Sequence, residues 1–303
     1  FLVRGAVELA IHACHHAPAV DMSAAKLSER LATLQYLTRP SAGKRTGRNI
    51  GVHANVATDL EAVHAPIPVK MADYRRVAAP PRLIVDRFEL RRWQPAQPDF
   101  ADPASVRTFY AAAEAFVCAA VGAARVHVFD HTLRTSGVSS LNAADGASAA
   151  GAVLRVHGDY TADSAPTRLA QLAAAGAITV EPAPSRFAFV NVWRSVDQQQ
   201  PVLSHPLALC RPRSIDYARD TWSYHMHFED RVGRNLAIEA KAGHEWGYYP
   251  RMTADEALLF FAFDSSAADG DVGVVHTAFD DPAIDGAGVP RRSVELRTVA
   301  LWD

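Results

Sequence analysis

Cysteine is scarce in this 303-residue chain: Cys14, Cys118 and Cys210 are few, odd in number and widely spaced. Such a set does not make a disulfide framework and suits reduced thiols, so a cytoplasmic location is expected. Long apolar runs are missing too; none approaches the roughly 20 residues that a membrane span needs. Nor is there a surplus of one charge. The 31 Lys+Arg and 33 Asp+Glu are interspersed and leave a net charge of −2. That balance argues against nucleic acid or an anionic membrane as the main partner. The first eight residues lack Met and are broken by Arg4 and Glu8, a poor signal peptide and the look of a trimmed start. No internal repeat or low-complexity segment is visible.

What is present describes an ordinary globular chain, 49% hydrophobic and 21% charged. The length allows one large domain or two small ones. Residues 1–35 are Ala-rich with helical spacing (Leu9, Ile11, Leu27, Leu31), 39–50 read as loop, and 51–80 carry no clear pattern. Residues 83–90 have strand composition. Asp102-Pro103 is a cap followed by Pro at the first turn, and Val106, Phe109, Tyr110, Ala113, Phe116, Val117 and Ala120 recur at helical spacing to about residue 124. The chain then turns β-rich. Strands are expected at 125–134, 152–160, 186–196, 206–210, 257–264, 273–279 and 292–301, with a helix at about 166–175. Many short strands and few helices suggest a sandwich or barrel. The fold expected is mainly β with flanking helices, around a double-stranded β-helix (jelly-roll, cupin-like) core that places strand-end ligands in a central mouth. Residues 1–80 would be a helical or irregular extension packed on the core, and 81–303 the jelly-roll domain.

Chemistry concentrates in Leu154-Arg-Val-His157-Gly-Asp159-Tyr-Thr, in Val275-His276-Thr-Ala-Phe-Asp280, and in Pro290-Arg291-Arg-Ser293. Two imidazoles and one carboxylate in that order make the facial triad of non-haem Fe(II) oxygenases. On an extended strand residues i and i+2 point the same way, so His157 and Asp159 can reach one metal, and His276 would join from another strand. Three protein ligands leave room for a bidentate cosubstrate and O₂. Arg291 and Ser293, again i and i+2, could hold the distal carboxylate of a keto-acid, with Arg297 the rival. A His-x-Asp/Glu pair is expected by chance in a chain with 13 His and 33 Asp+Glu, and two occur, at His157 and at His227-Phe-Glu229. The joint pattern carries the inference. The plain alternatives are a hydrogen-bonded strand end at His157/Asp159, a core histidine at His276 and a solvated edge charge at Arg291.

Other groups compete or contribute. His225, His227 and Glu229 share one strand face in a polar context that favours a surface or substrate-loop role. His12, Cys14, His15 and His16 cluster near the start with no paired ligand motif downstream. His131 and Arg134 end a strand, Asn191 and Trp193 alternate to one face with Arg194 beside them, and Trp246 and Tyr248 offer a substrate wall. Ordinary packing explains each of these equally well. Asn191 is placed with the cofactor and the other six with the substrate. Residues 135–151, rich in Ser, Ala and Gly, would make a lid.

Nine ordered segments together resemble the CmcJ/AsaB-type hydroxylase/desaturase family of natural-product biosynthesis. They are Val128-Phe-Asp-His131-Thr-Leu-Arg134, Val156-His157-Gly-Asp159-Tyr-Thr, Asn191-Val-Trp-Arg194, Pro206-Leu-Ala-Leu-Cys210, Trp246-Gly-Tyr-Tyr-Pro-Arg-Met252, Asp255-Glu-Ala-Leu-Leu-Phe260, Phe263-Asp-Ser265, His276-Thr-Ala-Phe-Asp-Asp-Pro282 and Arg291-Arg-Ser-Val-Glu-Leu-Arg297. The resemblance spans about residues 83–303, with a looser match at 31–37. It implies an Fe(II)/2-oxoglutarate-dependent oxygenase, with His157, Asp159 and His276 as metal ligands and Arg291 as the 2-oxoglutarate anchor. The implied reaction is hydroxylation, desaturation or oxidative cyclisation of a small metabolite, such as an amino-acid derivative, with succinate and CO₂ as coproducts. Asp159 stands where a related halogenase has a small residue, which disfavours halogenation. Two departures, Arg211 for an acidic residue and Glu245 for a basic one, would reset substrate contacts. A keto-acid-independent cupin-like dioxygenase and a non-catalytic partner protein in a biosynthetic complex stay open, as does a homodimer.

Overall fold

Strand alternation builds the molecule. In the computed structural model, which describes residues 30–51, 56–135, 151–229, 231–267, 273–282 and 289–303, fourteen strands form three sheets. The strands are β1 (Arg30–Leu37), β2 (Arg45–Asn49), β3 (Leu60–Glu61), β4 (His64–Asp73), β5 (Phe88–Arg92), β6 (Arg125–Thr135) and β7 (Arg186–Ser195). They continue with β8 (Leu207–Cys210), β9 (Thr221–His227), β10 (Val232–Ile238), β11 (Trp246–Tyr248), β12 (Glu256–Asp264), β13 (His276–Ala278) and β14 (Arg292–Trp302). Helices are α1 (Leu83–Asp86), α2 (Pro103–Val121), α3 (Ser164–Ala174) and α4 (Tyr217–Asp220).

The principal sheet has the order β5-β12-β7-β14-β6, and a second five-stranded sheet runs β1-β4-β11-β8-β13. β7 shows how one strand serves two layers. Ala188, Val190 and Val192 pack on Phe109, Ala113 and Val117 of α2. Phe189 and Trp193 point the other way, Phe189 into the core that holds Leu34, Tyr36 and Val275 and Trp193 into the one that holds Leu209 and Val274. The same alternation sends Val294 and Leu296 of β14 toward α2, and Ser293 and Glu295 toward the interior between the sheets. The third sheet, β10-β9-β2-β3, closes one side. This is a jelly roll, mainly β with flanking helices, as the sequence implies.

α2 starts and stops where its sequence demands. Asp102 accepts hydrogen bonds from the backbone N–H groups of Ala104 and Ser105, Pro103 follows, and Gly122 takes the left-handed conformation (φ 68°) at the C-cap.

The expected elements need five corrections, the first being that residues 45–49, within the stretch expected as loop, form β2. Residues 30–37 are a strand: Ala32, Leu34 and Tyr36 are buried while Leu31 is 66% exposed, a period of two that the Ala-rich composition hides. β1 and β4, within the stretch read above as an extension, are instead two strands of the second sheet. Residues 83–86 are a short helix because the Asp86 carboxylate takes the Arg82 N–H and Glu89 takes that of Leu83; the strand starts only after Arg87 turns left-handed at φ 66°. Finally, residues 152–160 form no continuous strand but three isolated bridges, Gln35 to Arg155, His157 to His276 and Gly158 to Leu236. The lid residues 136–150 and the His12/Cys14/His15/His16 group lie outside the described residues.

Candidate metal centre

One of those bridges assembles the centre. The His157 N–H donates to the His276 carbonyl at 3.1 Å, and the His276 N–H donates back to His157 at 2.9 Å. Residues distant in sequence thereby become a cross-strand pair, with ring centroids 4.5 Å apart. Asp159, two residues along the same extended segment, turns to the same side. Its Oδ1 lies 3.7 Å from His157 Nε2 and 3.8 Å from His276 Nε2. Among the described residues this is the one group of three metal-type donors, with all ligand atoms within 4.8 Å of one another.

Backbone carbonyls decide which nitrogen is available. His157 Nδ1 lies 2.7 Å from the Arg155 carbonyl and His276 Nδ1 lies 3.0 Å from that of Val274. A carbonyl only accepts, so each Nδ1 carries the hydrogen and each Nε2 lone pair faces Asp159. Burial, then the neighbouring His276 and Arg155, push the His157 imidazole well below its usual range, which keeps it neutral. Asn191 fixes the carboxylate: its Nδ2 donates to Asp159 Oδ2 at 2.7 Å and to Glu295 Oε1 at 3.0 Å. Two imidazoles and an oriented carboxylate suit a first-row divalent metal.

A cavity of about 550 Å³ opens beside the three, and Arg134, Trp193, Arg291, Glu295 and Arg297 line it with them. Arg291 is 2% exposed and donates from Nη1 to the His205 carbonyl at 2.7 Å, its guanidinium 5.8 Å from the Trp193 ring centre. Burial and the adjacent Arg134 push it down to about 9, so it stays charged at neutral pH. The Ser293 Oγ, on the same face of the chain, is buried without a hydrogen-bond partner among the described residues. A charged fork with an unsatisfied hydroxyl suits an incoming carboxylate. Arg297, the rival anchor, is committed elsewhere: Nη1 reaches Asp130 at 2.7 Å and Thr132 at 2.8 Å, and Nη2 lies 3.6 Å from Glu295.

The remaining sequence candidates divide. Arg134 lines the cavity, donating to the Gly151 carbonyl at 3.0 Å with Glu295 3.8 Å away, and Trp193 forms part of the same wall. Asn191 acts through Asp159 rather than on the cavity surface. His131 sits on the α2 side, hydrogen-bonded to Tyr110 at 2.6 Å and stacked on Phe100. Arg194 is there too, donating to the Ala254 carbonyl at 2.6 Å and lying over Trp93. Trp246 donates to Tyr36, and Tyr248 bonds Asp281 and Arg30; neither lines the cavity. Arg211 and Glu245 are likewise remote, Arg211 pairing with Asp86 at 2.6 Å and Glu245 with Arg213 at 2.6 Å. His225, His227 and Glu229 form no three-ligand group. Two residues escaped notice, Glu295 and Arg155. The continuation of the Arg291/Ser293 alternation to Glu295, and of Asp159/His157 back to Arg155, was the available signal.

Comparison with known proteins gives a family and a fold. A family model described as an oxidoreductase/YMDC permease-like domain matches residues 34–301. The hydroxylase/desaturase CTB9 of Cercospora beticola is 30% identical over 223 residues, which is 68% of this chain and 67% of the relative. The alpha-ketoglutarate-dependent dioxygenase phiK of a fungal species is 26% identical over 228 residues, 73% of this chain and 79% of that one. Among solved structures, the iron and alpha-ketoglutarate-dependent endoperoxidase NvfI superposes with a TM-score of 0.73 at 20% identity, covering 90% of this chain and 97% of its own. At that identity the superposition speaks for the fold.

Proposed function

The chain belongs to the oxidoreductase/YMDC permease-like family over residues 34–301, and on that premise we propose that it is an Fe(II)/2-oxoglutarate-dependent oxygenase acting on a small molecule. The observation that carries this reading is the grouping of His157, Asp159 and His276, with both Nδ1 atoms bonded to carbonyls and both Nε2 atoms turned to one point. The relatives named hydroxylase/desaturase and alpha-ketoglutarate-dependent dioxygenase support the same chemistry. Iron, 2-oxoglutarate and O₂ together supply the oxidising power for hydroxylation, desaturation or cyclisation at a C–H bond, with succinate and CO₂ as coproducts.

The protein's own contribution is position and charge. His157, Asp159 and His276 would hold the metal on one face. Asn191 keeps Asp159 from rotating and so fixes the direction of its second oxygen. Arg291 and Ser293 would take the far carboxylate of 2-oxoglutarate, and the buried Trp193 beside Arg291 keeps water from the guanidinium. Glu295 sits between Arg134, Arg297 and Asn191, balancing their donors without entering the triad. Free Cys118 and Cys210 support a reducing, cytoplasmic setting.

An anaerobic Fe(II) titration of metal-free protein, with and without 2-oxoglutarate and followed by visible absorption, tests the reading. A weak charge-transfer band that needs both components is expected. His157→Ala should abolish it, and Arg291→Ala should raise the 2-oxoglutarate concentration required roughly 10- to 100-fold, the scale of a lost charge-assisted hydrogen bond. Iron binding without the band would point to a keto-acid-independent enzyme, and no iron binding at all to a non-catalytic partner protein.

A further inference from the structure

The cavity wall holds more positive charge than 2-oxoglutarate uses. Eight arginines and three carboxylates line it. Most of the arginines are engaged. Arg297 is held by Asp130, Arg134 by the Gly151 carbonyl and Glu295, and Arg234 lies 3.7 Å from Asp163. Arg168 and Arg231 lie over Phe129 and Phe228. Arg291 is assigned above to the cosubstrate.

Arg155 is different. Its Nη1 is buried and has no hydrogen-bond partner among the described residues. The guanidinium lies 4.0 Å over the Tyr224 ring, which holds the fork in place without satisfying its N–H groups. An arginine guanidinium keeps its charge at neutral pH and offers only donors. Its place in the chain matters. Arg155, His157 and Asp159 are i, i+2 and i+4 on one extended segment, so the guanidinium enters the same cavity as the metal ligands. Arg48 stands exposed at the rim and His64 beside it. A buried, protonated N–H without an acceptor costs free energy that an anionic ligand would recover. Phe129, Tyr160, Leu207, Tyr224 and Met226 give the wall an apolar and aromatic part, beside a neutral polar part of Ser164, Thr167, Gln171 and Asn235.

We propose that the molecule oxidised here is a carboxylic acid with an apolar or aromatic body, and that Arg155, assisted by Arg48 at the rim, binds its carboxylate. This rests on the oxygenase reading, with 2-oxoglutarate held separately at Arg291. The planar fork of Arg155 matches a carboxylate through two parallel hydrogen bonds.

The test uses the anaerobic Fe(II)·2-oxoglutarate protein with two probes of equal shape, 4-phenylbutyrate and its neutral amide. Calorimetry gives their affinities, and the charge-transfer band reports whether 2-oxoglutarate stays bound. The acid is expected to bind at least about tenfold more tightly than the amide, with the band kept. Arg155→Gln should erase that preference and leave the band's dependence on 2-oxoglutarate unchanged. If Arg155→Gln does not fold, Arg155→Lys, which keeps the charge but not the fork, and Arg48→Gln carry the test; each should shrink the preference, and full preference in both overturns the proposal. Equal affinity for acid and amide overturns it, as does no binding of the acid at millimolar concentration. So does an Arg155→Gln protein that keeps the preference, and so does loss of the band, either when the acid binds or through Arg155→Gln. A wild-type protein that forms no band at all would instead overturn the oxygenase reading, a distinct result.

Discussion

Asn191 spends one amide nitrogen on two carboxylates, Asp159 at 2.7 Å and Glu295 at 3.0 Å. Truncating it to Ala removes no metal ligand and leaves Asp159 free to rotate. Asn191→Ala should therefore weaken Fe(II) binding about 10- to 100-fold, the usual consequence of losing an outer partner of a ligand. Competition against a chelator under argon measures this, and an affinity within about twofold of wild type would remove Asn191 from the centre. At this scale the sequence was readable wherever the logic was local. His157 with Asp159, and Arg291 with Ser293, follow from alternation alone. His131 and Arg194 looked equally suitable, but the strand face that carries each is set by the packing of α2, which arrives from elsewhere in the chain. Arg155 and Glu295 carry no local signal of a role, because their burial depends on strands that pair across the whole molecule.

Among the elements, β12 is pinned at its end by Asp264, which accepts from Arg186 at 2.9 and 2.6 Å and from Arg87. Burial alone would raise this carboxyl, but the hydrogen bonds from Arg186, Ser266 and Arg87 hold it at about 2. The unfolded value is near 4. The folded state thus binds fewer protons between these values, so the stabilisation is present above about pH 4 and is lost as pH falls toward 2. Asp264→Asn should cost about 2 kcal/mol at neutral pH, with the gap to wild type narrowing in acid. Urea unfolding at about pH 6 and about pH 3 checks both parts; a gap of the same size at both would show that the ion pairs are not its source. Element prediction succeeded for α2, β6, β7, β12 and β14, where caps or long apolar alternation declare the type. It missed β4, whose Pro66 and Pro68 argue against a strand. They are tolerated because β11 pairs only with Met71–Asp73, leaving that side of residues 64–70 without a ladder.

For the whole molecule, the question is what residues 30–80 contribute. β1 and β4 are hydrogen-bonded to each other along their length, and Leu34, Tyr36 and Met71 are each 1% exposed in the core that also contains Phe189 and Val275. A protein beginning at residue 81 would expose that core. It should lose cooperative thermal unfolding and Fe(II) binding together, as read by calorimetry and by metal titration. A truncated protein that melts cooperatively and still binds iron would establish residues 81–303 as a self-sufficient unit. The jelly roll itself was inferred from strand number and turn spacing, whereas its strand order was not, because the pairing of β13 with β8 and of β14 with both β6 and β7 is long-range and leaves no local trace.

The reciprocal hydrogen bonds between His157 and His276 have one more consequence, for how such a protein can change its length. Side chains alternate along an extended chain, so sliding either partner by a single residue would turn one imidazole to the opposite face. The two segments behave like text read in a fixed frame. Residues gained or lost in the connections on either side leave the frame intact, whereas a single insertion between Arg155 and Asp159, or within β13, shifts every letter after it. Diversification of this scaffold by insertion and deletion is therefore confined to its loops, and the few residues around that bridge can vary only by substitution.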